Sequence, residues 1–201
     1  GALTTAAGVS GQGDLRFRVL YTRSHLPEAA VAVLESAHGG FTVDRRPGRG
    51  ETYFFLPGAG IVVISGDLKS TRLLDTDDRM KGENLHNTMI WFDPDGTPFL
   101  TFPANNAGLI FTTTLQGKLV HTLEIPGARD SFDEPTVDDY FLGRGKFAPT
   151  DVAHLQGLFY ITTGYSSLDY VLTAKILSTH PFRVVWNDLA FGGRGDGAGE
   201  F

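Results

Sequence analysis

From Thr52 onward the chain is built of short apolar runs that end at glycine, proline, aspartate or asparagine. The runs are rich in β-branched and aromatic side chains, a composition that favours strands over helices. They read TYFFL, GIVVIS, TRLLD, NTMIWF, PFLTF, GLIFTTT, KLVHTLE, LFYITT, DYVLTAKI and FRVVW. The sequence therefore predicts an all-β protein.

These strand signals recur in the same order along the chain. A strand–turn–strand unit that starts at Gly60 recurs at Gly108 and again at Asp169. Another pair of strands comes directly before the unit at Gly108 and before the unit at Asp169. Four consecutive antiparallel strands per unit are typical of β-propeller blades, and a β-sandwich is the alternative. About three units are visible, whereas a propeller needs at least about four blades. We therefore expect a partial propeller: either the chain is a fragment, or another chain supplies the remaining blades.

The first 50 residues differ from the rest. Residues 1–13 are rich in glycine, alanine, serine and threonine, and predict a flexible leader. In residues 14–50, Arg16–Arg23 alternates polar and apolar side chains like a half-buried strand. Leu26–Ala37 predicts one short helix, with Pro27 at its start and two glycines after its end. Residues 51–201 are then the propeller blades.

Composition excludes several partners and suggests a location. The formal net charge of −6 argues against nucleic acid, whose phosphates need a basic face. No apolar run approaches the roughly 20 residues that span a bilayer, so we expect no membrane insertion. The chain contains no cysteine and starts without methionine. The absence of cysteine suits either a reducing cytosol or an exported protein without disulfides. With a start that looks processed, we expect a secreted or periplasmic protein.

An acidic segment, Ile125–Phe147, separates the second unit from the third. It carries five carboxylates, at Asp130, Asp133, Glu134, Asp138 and Asp139. We expect a solvated acidic loop over one face of the protein. A calcium loop is the alternative, because hard cations are bound by several carboxylates, although the spacing matches no EF-hand.

Two segments carry a resemblance to a known family. PTDVAHLQGLFYITTGY (Pro149–Tyr165) and FGGRGDGAGEF (Phe191–Phe201) resemble the NHL repeat of six-bladed β-propellers. Within that family the chain looks most like the peptidyl-α-hydroxyglycine α-amidating lyases. The resemblance covers roughly residues 50–201 and is best in the third unit. It implies a metal-dependent lyase that uses zinc and acts on a small or peptide-like substrate bearing a hydroxyl or carbonyl group.

The resemblance assigns roles to three residues. His86 stands where these lyases have a zinc-binding histidine, Tyr165 stands at the catalytic tyrosine, and Arg49 falls near an arginine of the active site. The chain departs from the family pattern at Leu85, where a proline is usual, and at Thr163, where an aspartate is usual. On residue chemistry alone, His86 is equally a histidine hydrogen-bonded at a strand edge, and Tyr165 a tyrosine packed under a turn.

Two functions follow from this sequence. The first is the metal-dependent lyase, with His86 as a ligand and Tyr165 and Arg49 as catalytic residues. The second is a non-catalytic propeller scaffold whose loops bind a protein or glycan partner, because propellers host many functions. His154 precedes a turn and is expected at the surface under either hypothesis.

Overall fold

A computed structural model describes residues 9–127, 132–143 and 145–201. In the N-terminal part, strands β1 (Val9–Ser10) and β2 (Phe17–Arg18) pair with each other and with no other strand. Helix α1 (Glu28–Ala32) follows, flanked by 3₁₀ turns at Arg23–His25 and Leu34–Ser36. Most of the predicted leader lies outside the described residues.

The remaining strands form three four-stranded antiparallel sheets, each made of consecutive strands. The first sheet contains β3 (Thr42–Val43), β4 (Thr52–Leu56), β5 (Gly60–Ile64) and β6 (Thr71–Leu73). The second contains β7 (Met89–Phe92), β8 (Pro98–Ala104), β9 (Leu109–Thr114) and β10 (Leu119–Leu123). The third contains β11 (Pro149–Leu155), β12 (Leu158–Thr163), β13 (Tyr170–Thr179) and β14 (Phe182–Gly192).

Short helices occupy the connections between sheets. Helix α2 (Asp78–Lys81) links the first sheet to the second, and α3 (Pro135–Asp138) with a π-helical turn at Asp139–Gly143 links the second to the third. About 40% of the chain is strand and 13% helix, which confirms the predicted all-β character.

One sequence-based prediction about the N-terminal part is wrong. Arg16–Arg23 was expected to form a half-buried strand, but only Phe17–Arg18 is extended and paired, and both residues are exposed. The physical reason is that its partner β1 has two residues, so no sheet face covers Phe17, Val19 and Leu20, and only Tyr21 packs against the first sheet. Phe17 is 62% exposed.

The sheets stack face to face, and the core lies between them. Between the first and second sheets, Phe55 contacts Phe102 with ring centroids 6.1 Å apart. Between the second and third, Trp91 meets Phe159 edge-to-face at 5.3 Å. The second sheet is therefore buried on both faces. This explains why its strands, and those of the first sheet, read as continuous apolar runs rather than as alternating ones.

The two outward faces of the stack differ. The far face of the first sheet, including Phe54 and Val62, is covered by α1 and the turns beside it, with Ala30 fully buried. The far face of the third sheet is open. Its apolar side chains include Leu155, at 59% exposure, and Phe191, at 45%.

The first strands of the three sheets lie side by side and run in the same direction. The backbone N–H of Ile90 donates to Oγ1 of Thr42 (3.1 Å), and that of Asn87 donates to the carbonyl of Thr150 (3.4 Å). Nearer the start of β3, Gly40 lies against the side chain of Asn87. The three sheets therefore begin at a common end.

We call this end, at which each first strand begins, the entry end. Because every sheet is an antiparallel meander, the turns between second and third strands also lie there. The turns between first and second strands and between third and fourth strands lie at the opposite end. This topology decides which loops can share a site.

We expect Phe102→Ala to destabilise the protein by about 3–5 kcal/mol, because it removes a fully buried ring at the interface of two sheets. Urea denaturation monitored by tryptophan fluorescence would measure the loss. Phe191→Ala is the matched control, since that ring is 45% exposed. We expect it to cost less than about 1 kcal/mol. Equal losses in the two variants would contradict the stacked arrangement.

Candidate functional site

The backbone of His86 is fixed at the entry end of the second sheet. Leu85 forms an isolated antiparallel bridge with Ala104, and the N–H of His86 donates to the carbonyl of Pro103 at 2.9 Å. These contacts extend the edge of the sheet by two residues before β7 begins. The side chain of His86 is consequently held in place by regular backbone pairing.

Three rings from distant parts of the chain meet at this point. The ring of His86 lies 4.5 Å from that of His38 and 5.6 Å from that of Tyr165, both edge-on. His38 comes from the segment before β3, and Tyr165 from the turn between β12 and β13. The structure thus places His86 beside Tyr165, the two residues that the family resemblance assigned to one site.

His38 was missed by the sequence analysis. No spacing or motif links it to His86, and the contact exists only because the N-terminal segment crosses the entry end. Gly39 permits this close approach, because a Cβ at that position would lie 2.4 Å from the carbonyl oxygen of His86.

The environment of His86 favours a neutral imidazole. Burial lowers its pKa below the ordinary histidine value, and the neighbouring His38 lowers it further. Its Nε2 atom is buried and has no hydrogen-bond partner among the described residues. The hydroxyls of Thr88 and Thr163, at the same end, are also buried without a hydrogen-bond partner in the described part of the chain. Since a buried polar atom without a partner is costly, these groups mark the entry end as a candidate binding site.

Tyr165 stands at the rim beside His86 and is 56% exposed. Gly164 precedes it in the turn between β12 and β13 and does not have a positive φ. The glycine is needed there for space. A Cβ at position 164 would lie 2.8 Å from Cγ2 of Thr150 on the neighbouring strand.

The zinc expected from the family resemblance can be tested against these residues. Neutral imidazoles are suitable zinc ligands, and catalytic zinc usually has three protein ligands. His38 and His86 supply two, and the phenol of Tyr165 is the further donor in ring contact with them. No third histidine or carboxylate joins them in the described part of the chain. The described residues therefore do not make a complete zinc site.

Arg49 lies elsewhere. It belongs to the loop between β3 and β4, at the opposite end, where its guanidinium is 3.6 Å from Glu51. Arg46 of the same loop sits over the ring of Phe92. Phe92 is six residues beyond His86, so about 20 Å of extended chain separates them. The structure does not bring Arg49 to His86 and Tyr165.

The acidic segment Ile125–Phe147 is only partly solvated. Val137, Tyr140 and Phe147 are buried and pack into the core between the second and third sheets. Glu134 caps α3 by accepting from the N–H of Thr136, and Asp138 accepts from the N–H of Phe132. Asp130 lies outside the described residues.

Among the described carboxylates of this segment, none belongs to a group of three close metal-ligating side chains. The calcium interpretation also involves Asp130, so it stays a prediction. Within the described ranges, the one group of three close metal-ligating side chains is Asp93, Asp95 and His180, at the opposite end.

Comparison with models of known protein families gives no match for this chain, and comparison with characterised proteins gives no significant match. Among the described residues, no helix has the length and apolar character needed to cross a membrane.

We expect stability to fall between pH 7.5 and pH 5.5. Burial lowers the pKa of His86, His121 and His154, so below the unfolded value of about 6.5 the unfolded chain binds more protons than the folded one. Stability is therefore complete above that value and is lost as pH falls through the native pKa values. Urea midpoints at the two pH values would measure the effect.

Aspartates and glutamates remain ionised at pH 5.5, so the change would belong to histidines. A His154→Gln variant should show a smaller difference between the two midpoints than the unmodified protein. Identical midpoints at pH 7.5 and pH 5.5 in the unmodified protein would contradict the lowered histidine pKa values.

Proposed function

We propose that the chain is an NHL-type β-propeller domain that acts as a lyase at the entry end of its sheets. The propeller is supported by three stacked four-stranded meanders whose first strands lie side by side. Propeller blades surround a central channel, and the entry end is then one mouth of that channel. The substrate class is N-acyl-α-hydroxyglycine, small or peptide-like, in keeping with the family resemblance.

A single observation carries the proposal: the buried, unpartnered Nε2 of His86 lies beside Tyr165. Leaving such an atom without a partner costs about 1–3 kcal/mol. A substrate hydroxyl that donates to this nitrogen would recover that cost. The lowered pKa keeps the ring neutral, as a general base requires.

The chemistry needs one base and one acid. His86 accepts the proton of the substrate hydroxyl at Nε2, in the tautomer whose proton is on Nδ1. The new C=O bond forms as the C–N bond breaks, which gives glyoxylate and an amide. The hydroxyl of Tyr165 donates a proton to the departing nitrogen, and solvent returns the proton from His86 to the phenolate. His38, in contact with His86, holds that ring in position.

A non-catalytic scaffold is the second candidate. It is favoured by the incomplete donor set at the entry end and by the position of Arg49 at the opposite end. In that case the entry end presents Tyr165 and His38, both exposed, to a protein or glycan partner.

The test is glyoxylate release from N-benzoyl-α-hydroxyglycine. We expect His86→Ala to lower kcat by about 10²-fold or more and Tyr165→Phe by at least about tenfold, in the range of general acid–base catalysis. Arg49→Ala is the control and should stay within about twofold of the unmodified protein, since its side chain is exposed at the opposite end.

Absence of glyoxylate release from correctly folded protein would reject the lyase and leave the scaffold. Metal content, measured by elemental mass spectrometry on the same preparations, separates the two roles of His86. Near-stoichiometric zinc in the unmodified protein, lost in His86→Ala, would show that His86 is a metal ligand and not a general base.

A further inference from the structure

A cleft of about 610 Å³ opens between the second and third sheets at the opposite end, away from His86. Three turns surround it: the β7–β8 turn with Asp93, the β11–β12 turn with Gln156, and the β13–β14 turn with His180. Its volume falls in the range of about 300–1,000 Å³ that is typical of small-ligand sites.

The inner wall of the cleft is apolar and aromatic. The ring of His154 lies 4.6 Å from that of Trp91, and Ile176 and Leu177 complete the wall. Burial lowers the pKa of His154, so the ring is neutral at neutral pH. The sequence analysis expected His154 at the surface. It is half-buried instead, because Trp91 of the neighbouring sheet covers it.

One side of the cleft is acidic. Asp93 is 7% exposed, and its carboxylate accepts hydrogen bonds from the backbone N–H groups of Asp95 and Thr97 and from Oγ1 of Thr179. Ligating atoms of Asp93, Asp95 and His180 all lie within 4.8 Å of one another. The Thr179 contact ties the two sheets together at the cleft and holds this carboxylate in place.

The two aspartates lack a strong cationic partner. Within the described residues no lysine or arginine forms an ion pair with either, and none lines the cleft. The carboxyl groups of Asp93 and Asp95 are in side-chain hydrogen-bond contact, and this contact, followed by the bonds from Thr97, lowers the pKa of Asp95 to about 2. The ionised carboxylate of Asp95 attracts a cation, and His180 is the titratable group that faces it.

Gln156 lies at the lip of the cleft, in the two-residue turn between β11 and β12. Its φ is +52° and Gly157 follows at +79°, as a two-residue hairpin turn requires. The turn holds the backbone of Gln156 at the cleft opening, where its amide is the polar group opposite the aspartates.

We propose that this cleft binds a primary ammonium or guanidinium group carried on an apolar stem. The cation faces the carboxylates of Asp93 and Asp95, and the stem lies against His154 and Leu177. The amide of Gln156 closes the lip. An amino terminus or a basic side chain of a peptide has this chemistry.

The test uses 2-phenylethylamine at pH 8, with binding followed by the amide NMR signals of the protein. For a ligand of this size we expect a Kd on the order of 1 mM. Its neutral and anionic analogues, 2-phenylethanol and 3-phenylpropionate, should bind at least about tenfold more weakly, because each lacks the charge that the aspartates select.

Three variants test whether the amine binds in the cleft. Asp95→Asn, at an exposed position, should weaken amine binding by about fivefold or more, comparable to the loss of one charge-assisted hydrogen bond. Gln156→Gly should also weaken it while leaving the urea midpoint unchanged or higher. Asp78→Asn removes an exposed aspartate outside the cleft and should change nothing.

Three outcomes would overturn the proposal: equal binding of the amine and the alcohol, unchanged affinity in Asp95→Asn, or displacement of the amine by 1 mM calcium chloride. The last would make the carboxylates a metal site. His86→Ala should bind the amine normally, so failure of the lyase and failure of the cleft remain distinguishable.

Discussion

Packing of three sheets face to face is the interaction on which every other feature of this protein depends. None of the sheets has a core of its own, since the buried rings lie between sheets. Within the second sheet, a buried polar chain crosses three neighbouring strands. The indole N–H of Trp91 donates to Thr101, which in turn bonds to Thr112. A one-residue shift in the pairing of these strands would leave the polar groups buried and unpaired, so the second sheet has one favourable strand register.

The parallel alignment of the first strands divides the functional surface into two regions. The segments that lead into the first strand of each sheet converge at the entry end. The hairpin turns between first and second strands converge at the opposite end. His86 and Tyr165 share one region although 79 positions separate them in the sequence. Arg49 and Asp93 fall in the other. Meander topology therefore explains why the two proposed sites lie at opposite ends of the sheets.

Sequence patterns predicted the strands well because β-branched and aromatic runs between glycine turns have few alternative structures. TYFFL and LFYITT coincide with strands to the residue. Sequence patterns failed where contacts between distant parts of the chain determine the local structure. Arg16–Arg23 has the polar–apolar alternation of a strand but pairs with no four-stranded sheet. His154 is half-buried because it packs against Trp91, 63 positions away. His38 carries no signal at all, because only the crossing of the N-terminal segment brings it to His86.

The meander order of the strands also affects how the protein folds and unfolds. Contacts within each sheet are local, so single hairpins can form quickly. Yet an isolated sheet buries little apolar surface, and a two-layer stack is the smallest unit that encloses the rings of Phe55 and Phe102. Repeat proteins often unravel from one end, unit by unit. Here the middle sheet is shared by both cores. We therefore expect its amide hydrogens to exchange with solvent only through cooperative, global unfolding.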